Sequence, residues 1–166
     1  MSKSQEIAEL FDKFVMPTYS PKIALVKGKG TRVWDADGMC YLDFLSGVSV
    51  VNVGHCHPHV VEALTKQIAT LNTHTRYLHD NILDYAERLT SKFEDELDLA
   101  MFCCTGSEAN ELAMRIARTH TGGTGFIATS FAYHGNTKAT FEITTSDIRE
   151  DERPDYIATV PVPDPY

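Results

Sequence analysis

Apolar and polar positions follow different periods in the front and rear parts of the chain. Residues 4–16 carry apolar side chains at helical spacing and predict a short amphipathic helix. Ser4 is the expected N-cap, and Pro17 and Pro21 are expected to end this helix. The apolar positions are Ile7, Leu10, Phe11 and Phe14.

The period then changes to that of β-strands. Three short β-prone runs occupy residues 23–26, 31–34 and 41–45. The last two flank the segment Asp-Ala-Asp-Gly at residues 35–38, and Asp-Gly between β-prone runs is a strong hairpin signal. The front part therefore predicts a small β-rich unit.

From residue 58 onward, helical and strand-like patterns alternate. Pro58 suits the first position of a helix that reaches residue 71, and Asp80 or Asn81 suits the cap of the next helix. Apolar runs predict strands at residues 99–103, 126–129 and 156–160. A further helix is expected after the first of these strands, with one apolar face formed by Ala109, Leu112, Ala113, Ile116 and Ala117. This alternation implies an α/β fold with a parallel sheet.

Composition narrows the range of functions. The chain has 166 residues, a net charge of −8 and 43% hydrophobic residues, so it is globular and lacks the basic face expected of a nucleic-acid-binding protein. Its four cysteines lack metal or disulfide spacing, which fits a reducing compartment. The first ten residues do not have the pattern of a signal or transit peptide, and no apolar run reaches the roughly 20 residues that span a bilayer. We therefore expect a cytoplasmic protein.

The strongest local motif is a predicted strand followed by Thr-Gly-Ser-Glu and a helix. Such a helix start presents unpaired N–H groups, Gly106 permits close approach to the backbone, and the Ser107 hydroxyl adds a donor, so the motif suits a phosphate. It has neither the glycine spacing of a dinucleotide-binding loop nor the Lys-Ser/Thr of a P-loop. Taken alone, it is more commonly a simple helix cap.

A second motif, Tyr133-His134-Gly135, follows the next predicted strand. Loops that follow successive parallel strands gather at one edge of the sheet, where ligands bind. Tyr133 is thus placed to stack on a flat ring whose phosphate lies at Gly106 and Ser107. By itself a Tyr-His-Gly turn is more often structural.

Taken together, these motifs resemble a known family. The segments at residues 105–118 and 132–137, and the front segments at residues 27–38, 41–44 and 54–58, closely resemble class III aminotransferases, which use pyridoxal 5′-phosphate. Residues 75–82 are most similar to the branch that contains alanine–glyoxylate aminotransferase 2 and the ethanolamine-phosphate and hydroxylysine-phosphate lyases.

The resemblance implies a fold-type I transferase that acts as a homodimer. Residues 1–57 would be the amino-terminal segment of its small domain, and residues 58–166 the first portion of its large cofactor domain. It also implies site residues. Gly106, Ser107, Tyr133 and His134 would bind the cofactor, while Ser46, Gly47 and, more weakly, Arg76 would lie near the substrate.

The same resemblance places the Schiff-base lysine beyond the matched region, so no catalytic residue is assigned in this chain. The expected reaction moves an amino group from an amino acid or amine to a keto acid or aldehyde. Two alternatives stay open: a phospho-lyase acting on a phosphorylated amino alcohol, and a non-catalytic fragment that binds the cofactor or dimerises.

Two further features have simpler explanations. The series His55, His57 and His59 looks like a metal cluster, but Pro58 interrupts it, no carboxylate is expected nearby, and a turn into a helix explains it. Cys103 and Cys104 end a predicted apolar strand, so inert burial is the expectation. No metal site is predicted.

Overall fold

The computed structural model describes residues 1–16 and 23–164, in two compact units, residues 1–74 and 75–166. The first unit contains α1 (Lys3–Phe14), β1 (Leu25–Lys29), β2 (Arg32–Asp35), β3 (Cys40–Leu42), α2 (Ser46–Ser49) and α3 (Pro58–Thr70). The second contains α4 (Asp80–Thr90), α5 (Gly106–Thr121), β4 (Phe126–Thr129), α6 (Lys138–Glu142), a 3-10 turn (Glu150–Glu152) and β5 (Ile157–Val160). None of the described helices is long and apolar enough to cross a membrane.

The N-cap of helix α1 lies two residues earlier than expected, at Ser2 instead of Ser4. The Ser2 hydroxyl accepts from the Gln5 N–H at 3.3 Å, and the Gln5 side chain accepts from the Ser2 N–H at 2.8 Å. This reciprocal capping box satisfies two backbone donors, which a cap at Ser4 would not do. The helix ends at Phe14, and the predicted stop residues Pro17 and Pro21 lie outside the described residues.

The predicted β-rich unit and its hairpin are confirmed. Strands β1, β2 and β3 form an antiparallel sheet in that order, and Val33 of β2 pairs with Tyr41 of β3. The hairpin turn is organised by the buried carboxylate of Asp35, which accepts from the N–H groups of Asp37 at 3.0 Å and Met39 at 2.8 Å. Its second oxygen accepts from the Tyr41 hydroxyl at 2.8 Å.

Helix α3 is confirmed, with Pro58 at its first position. Its predicted apolar stripe is formed, but the large side chains of that stripe, Val61, Leu64, Ile68 and Leu71, are exposed. In the described part of the first unit, Val33 is the buried apolar side chain, so the core lies under the sheet and not under α3.

Helix α4 is also confirmed, but neither Asp80 nor Asn81 is its N-cap. The cap is His79, whose Nδ1 accepts from the Asn81 N–H at 3.1 Å. An imidazole nitrogen replaces the expected side-chain oxygen, and sequence rules for caps favour Asp or Asn at such a position.

Helix α5 starts where the sequence predicts, but it packs through a different face. Its buried residue is Met114, and Arg118 lies over the ring of Phe126 with 4.9 Å between guanidinium carbon and ring centroid. The expected face is largely exposed: Ile116 is 50% exposed. Arg118, one turn after Met114, also lies over the ring of Tyr156 at 5.2 Å, so the side of α5 that carries Met114 and Arg118 faces the β4–β5 pair.

Strands β4 and β5 confirm the parallel pairing, with Phe126 opposite Ile157 and Thr129 opposite Val160. The strand predicted at residues 99–103 is absent: this segment has no regular secondary structure, and Leu99 is 89% exposed. A strand needs a neighbour for its backbone hydrogen bonds, and no described segment of this unit pairs with it.

Candidate functional site

The amino end of α5 presents two unpaired backbone donors. Thr105 caps the helix by accepting from the Glu108 N–H at 3.1 Å, and the Glu108 carboxylate accepts from the Cys104 N–H at 2.9 Å. These bonds leave the N–H groups of Gly106 and Ser107 without an acceptor among the described residues. Two free donors at the positive end of a 16-residue helix form an anion-binding position.

The loop after β4 closes on this helix end through Ser107. The Asn136 N–H donates to Ser107 Oγ at 3.1 Å. This approach requires glycine at position 135, where a Cβ would lie 2.3 Å from Ser107 Oγ and 2.8 Å from Thr140 Oγ1, and where φ is +141°. The two predicted motifs are therefore in contact within one unit.

Buried threonines fix the course of the same loop. Thr144 is fully buried, and its Oγ1 accepts from the His134 N–H at 3.1 Å while donating to the Thr140 carbonyl at 2.9 Å. Thr145 Oγ1 accepts from the Ala132 N–H at 2.8 Å and donates to the Thr129 carbonyl at 2.6 Å. Because each hydroxyl serves as donor and acceptor, the loop backbone is held without regular secondary structure.

Tyr133 and His134 take different positions on this loop. The Tyr133 side chain is 59% exposed, so its ring face is accessible. The backbone of His134 is held on both sides, since its carbonyl accepts from Asn110 Nδ2 at 2.9 Å. The buried Nε2 of His134 has no hydrogen-bond partner among the described residues. Buried polar atoms are normally hydrogen-bonded, so this nitrogen is a candidate contact for a bound ligand.

The segment predicted to lie near the substrate has an unusual backbone. The φ angles of Ser46, Gly47, Val48 and Ser49 are 52°, 60°, 62° and 64°, so α2 is a single left-handed turn. Each non-glycine residue in this conformation costs roughly 1–2 kcal/mol, and a β-branched valine is a rare occupant. Contacts from outside the turn must offset this cost.

Asp43 supplies such contacts. Its Oδ1 accepts from the N–H groups of Leu45 and Ser46, both at 2.9 Å, and its Oδ2 lies 2.6 Å from His55 Nε2. The hydrogen bond with His55 is the main cause that lowers the pKa of Asp43 below its ordinary value of 3.8, followed by the bond from the Ser46 N–H. The expectation that no carboxylate lies near the His series is therefore wrong: Asp43 is distant in sequence but bonded in space.

The other residues singled out in the sequence lie outside the helix end, the loop and the turn described above. Arg76 is exposed in the turn at residues 75–77, ahead of α4, and takes no part in the contacts described above. His57 caps α3 by position. Cys103 is half-buried and Cys104 is exposed, so their predicted burial is wrong because the strand that would have buried them does not form.

Sequence reasoning missed three residues that shape the loop: Asn110, Thr140 and Thr144. The position of Asn110 within α5 does not indicate a role in the loop, because its hydrogen-bond partner is a backbone carbonyl 24 residues away. The threonines carried a weak signal, since β-branched polar residues clustered at 137–145 are unusual in a short helix. Gly135 was part of a predicted motif, but its role as the contact point with Ser107 follows only from the geometry.

The chain is similar to known proteins in both sequence and structure. The family described as Aminotransferase class-III matches residues 15–165. A curated relative, alanine–glyoxylate aminotransferase 2-like from Drosophila melanogaster, is 39% identical over 150 residues, which cover 89% of this chain and 30% of the relative.

Two solved structures extend the comparison. A phospholyase from Arthrobacter in complex with phosphoethanolamine has a TM-score of 0.82 and 40% identity, covering 96% of this chain and 38% of that one. An ornithine aminotransferase from Toxoplasma gondii, with partial occupancy of pyridoxal phosphate at its active site, has a TM-score of 0.76 and 25% identity, covering 99% and 41%. The chain thus spans 30% to 41% of the length of these relatives.

Proposed function

The chain belongs to the class III aminotransferase family, and we propose that it forms the amino-terminal part of an enzyme that binds pyridoxal 5′-phosphate at the α5 end. Members of this family depend on that cofactor. The proposed reaction moves an amino group from an amino acid or amine to a keto acid or aldehyde.

The bond between Asn136 and Ser107 is the observation that carries this proposal. Because Ser107 Oγ accepts from the Asn136 N–H, its own proton is free to point outward. That proton joins the free N–H groups of Gly106 and Ser107 as a third donor. Three donors at one helix end fit a phosphate dianion, and the absence of a Cβ at Gly135 lets the loop approach Ser107 closely.

The ring of the cofactor is assigned to the loop residues. Tyr133 has an exposed aromatic face for stacking, and His134 has a buried Nε2 in need of a partner. When bound, the cofactor supplies an electron sink for bond changes at the amino-bearing carbon of the substrate. The residues of this chain bind and orient it; no lysine of the chain is assigned a proton-transfer role.

The finer parts of the proposal concern the complete protein. Ser46, Gly47 and Arg76 are proposed substrate contacts, and residues 1–57 and 58–166 are proposed parts of the small and large domains. We also propose a homodimer. The exposed apolar stripe of α3 supports it, because such a surface is typical of a protein–protein interface. A cytoplasmic location is supported by four free cysteines.

A phospho-lyase is the second candidate. It is favoured by the 40% identity with the Arthrobacter phospholyase, whose structure contains phosphoethanolamine. The two reactions differ in their products. Release of inorganic phosphate from a phosphorylated amino alcohol without any keto acid would identify the lyase, whereas a strict keto-acid requirement would identify the transaminase.

The cofactor site is tested by titrating the chain with pyridoxal 5′-phosphate and following protein fluorescence. We expect saturable binding that the double variant Ser107→Ala/Tyr133→Ala weakens at least about tenfold, the equivalent of 1.4 kcal/mol. The matched control is Ser91→Ala/Tyr85→Ala, which removes the exposed C-cap serine of α4 and a tyrosine that is 57% exposed. Equal affinity for both double variants would show that the cofactor lies elsewhere.

A second measurement separates a binding fragment from a catalyst. Borohydride treatment of the chain with the cofactor, followed by peptide mapping, reports covalent attachment to lysine. We expect no single labelled lysine, as proposed for a chain with no assigned catalytic lysine. Specific labelling of one lysine, such as Lys138, would contradict that assignment and make the chain itself a candidate catalyst.

A further inference from the structure

We infer that Asp43 and His55 are positioning residues that impose the left-handed turn of α2 and so present Ser46 and Gly47. The inference concerns how the turn is held, and its functional meaning rests on the proposal that these two residues face the substrate.

The first step is the geometry of the Asp43 carboxylate. One oxygen accepts from two consecutive amides, those of Leu45 and Ser46, at the entrance of the turn. Bonds from both amides to one oxygen fix the direction in which the chain enters Ser46, where φ first becomes positive. The side chain is 14% exposed, so water competes little for these bonds.

The second step is the anchoring of Asp43 by His55. The other carboxylate oxygen lies 2.6 Å from His55 Nε2, and the His55 backbone is held in turn by Gly30, with N···O distances of 2.8 Å and 2.9 Å. The ring of His55 lies against Gly28, where a Cβ would come within 2.7 Å of the histidine Cβ. His55 therefore connects Asp43 to the β1–β2 part of the sheet.

The third step is that the Asp43 side chain is not needed to hold the sheet. The Asp43 N–H donates to the Thr31 carbonyl at 2.8 Å, so the sheet bond at this position is made by the backbone. The backbone hydrogen bonds of the turn itself, from the N–H of Ser49 to Leu45 and from the N–H groups of Val50 and Val51 to Ser46, use the carbonyl groups of the entrance residues and not their N–H groups. Among the described residues, the Asp43 carboxylate is the acceptor for the N–H groups of Leu45 and Ser46 at the entrance.

The test is nuclear magnetic resonance on the labelled full chain. A positive φ brings the amide and α protons of one residue close together, so it gives a strong intraresidue cross-peak. The cross-peaks of Val48 and Ser49 report the turn, and Val50, with φ of −99°, is the internal reference. We expect strong cross-peaks in the unaltered chain.

Asp43→Ala should reduce the Val48 and Ser49 cross-peaks to the intensity of Val50, and His55→Ala should weaken them. Asp43→Asn should retain them, because the amide oxygen still accepts from both backbone groups. Glu62→Ala and His59→Ala are matched controls, since both side chains are exposed on α3, and they should change nothing.

Strong cross-peaks that persist in Asp43→Ala would overturn the inference. So would Asp43→Asn behaving like Asp43→Ala. Loss of the Val33–Tyr41 strand pairing in Asp43→Ala would likewise overturn it, since the pair would then support the sheet rather than the turn. The measurement needs no cofactor, so failure of cofactor binding leaves this result standing, and failure here leaves the α5 site standing.

Discussion

The Asn136 N–H donates to Ser107 Oγ at 3.1 Å and joins two motifs that lie 29 positions apart in the chain. This bond decides the orientation of the serine hydroxyl, because a hydroxyl that accepts from one side donates toward another. The loop after β4 thus orients a donor that belongs to the helix end. A substitution in either motif should therefore alter the geometry of the other through this bond.

The contact at Gly135 predicts a strong effect of the smallest substitution. Gly135→Ala places a methyl group 2.3 Å from Ser107 Oγ and strains a φ of +141°, so the loop must move away from α5. We expect a loss of about 1–3 kcal/mol in the free energy of unfolding, together with weaker cofactor binding. Urea unfolding and fluorescence titration measure the two effects.

Gly125→Ala is the control for Gly135→Ala. Its Cβ would meet the nearest atom, the Tyr156 carbonyl oxygen, at an ordinary 3.6 Å. It should change the free energy of unfolding by less than about 0.5 kcal/mol. A Gly135→Ala variant as stable as this control would show that the loop does not depend on the close approach.

The buried hydroxyl of Thr144 predicts a second effect on the loop. Thr144→Val keeps the shape but leaves the His134 N–H without its acceptor, which costs about 1–3 kcal/mol in the free energy of unfolding. Because Tyr133 precedes that amide, cofactor affinity should fall as well. Thr119→Val, which alters an exposed hydroxyl on α5, is the control and should leave affinity unchanged. Equal cofactor affinities in Thr144→Val and Thr119→Val would show that Thr144 does not support cofactor binding.

In the first unit, Asp35 predicts the stability of the hairpin. Asp35→Ala removes the acceptor of two backbone N–H groups and of the Tyr41 hydroxyl, and hydrogen bonds to a charged group are worth roughly 1.5–3 kcal/mol each. We expect the hairpin to unfold at lower urea, as followed by fluorescence of the single tryptophan, Trp34. Tyr41→Phe removes one of these bonds and should lose about 1.5–3 kcal/mol in the free energy of unfolding, less than Asp35→Ala, which removes all three. A smaller effect of Asp35→Ala than of Tyr41→Phe would contradict this account.

The lowered pKa of Asp43 predicts an acid transition of the α2 turn. The folded state favours the ionised carboxylate, mainly through His55, so its stabilising contribution is present above pH 3.8 and is lost as pH falls through the lower folded pKa. The Val48 and Ser49 resonances should therefore shift below pH 3.8 as the bond to His55 weakens, while those of Val33 remain. Their strong intraresidue cross-peaks should stay, as in Asp43→Asn, because a protonated carboxyl keeps one oxygen that accepts from the Leu45 and Ser46 N–H groups. In His55→Ala the transition should move to higher pH, and an unmoved transition would exclude His55 as the main cause.

Tyr156 predicts an alkaline transition in the second unit. Its hydroxyl donates to the Glu142 carboxylate, and this bond is the main cause that raises the pKa of Tyr156 above 10.0. The folded state favours the protonated phenol, so the contribution is present below pH 10.0 and is lost as pH rises through the raised folded pKa. Glu142→Gln should lower the pH at which Tyr156 ionises, as measured by ultraviolet absorbance. An unchanged titration would show that Glu142 is not the main cause of the raised pKa.

Patterns that depend on neighbouring residues were read correctly from the sequence. The Asp-Gly hairpin, Pro58 at the start of α3 and the strand at residues 126–129 all follow from local rules. The family comparisons confirm the α/β fold-type I class and the class III aminotransferase resemblance. The assignments of Gly106, Ser107, Tyr133 and His134 as cofactor residues stay predictions.

Features that depend on partners distant in the sequence could not be predicted from it. The segment at residues 99–103 has a strand-like pattern, but a strand forms only with a neighbour to share its hydrogen bonds. The cap of α4 was missed for a local reason: the His79 ring nitrogen accepts from the Asn81 N–H two residues on, whereas capping rules favour an Asp or Asn side chain. The partnership of Asp43 with His55 spans 12 positions and leaves no periodic trace in the sequence.

The left-handed turn at residues 46–49 has a consequence for chemical synthesis. Over these four residues the backbone has the handedness that D-amino acids prefer, and Val48 sits there with the opposite chirality. A chain assembled by ligation with D-valine at position 48 should form the turn with less strain than the natural chain. The chirality of one α-carbon would then do part of what the carboxylate of Asp43 does now.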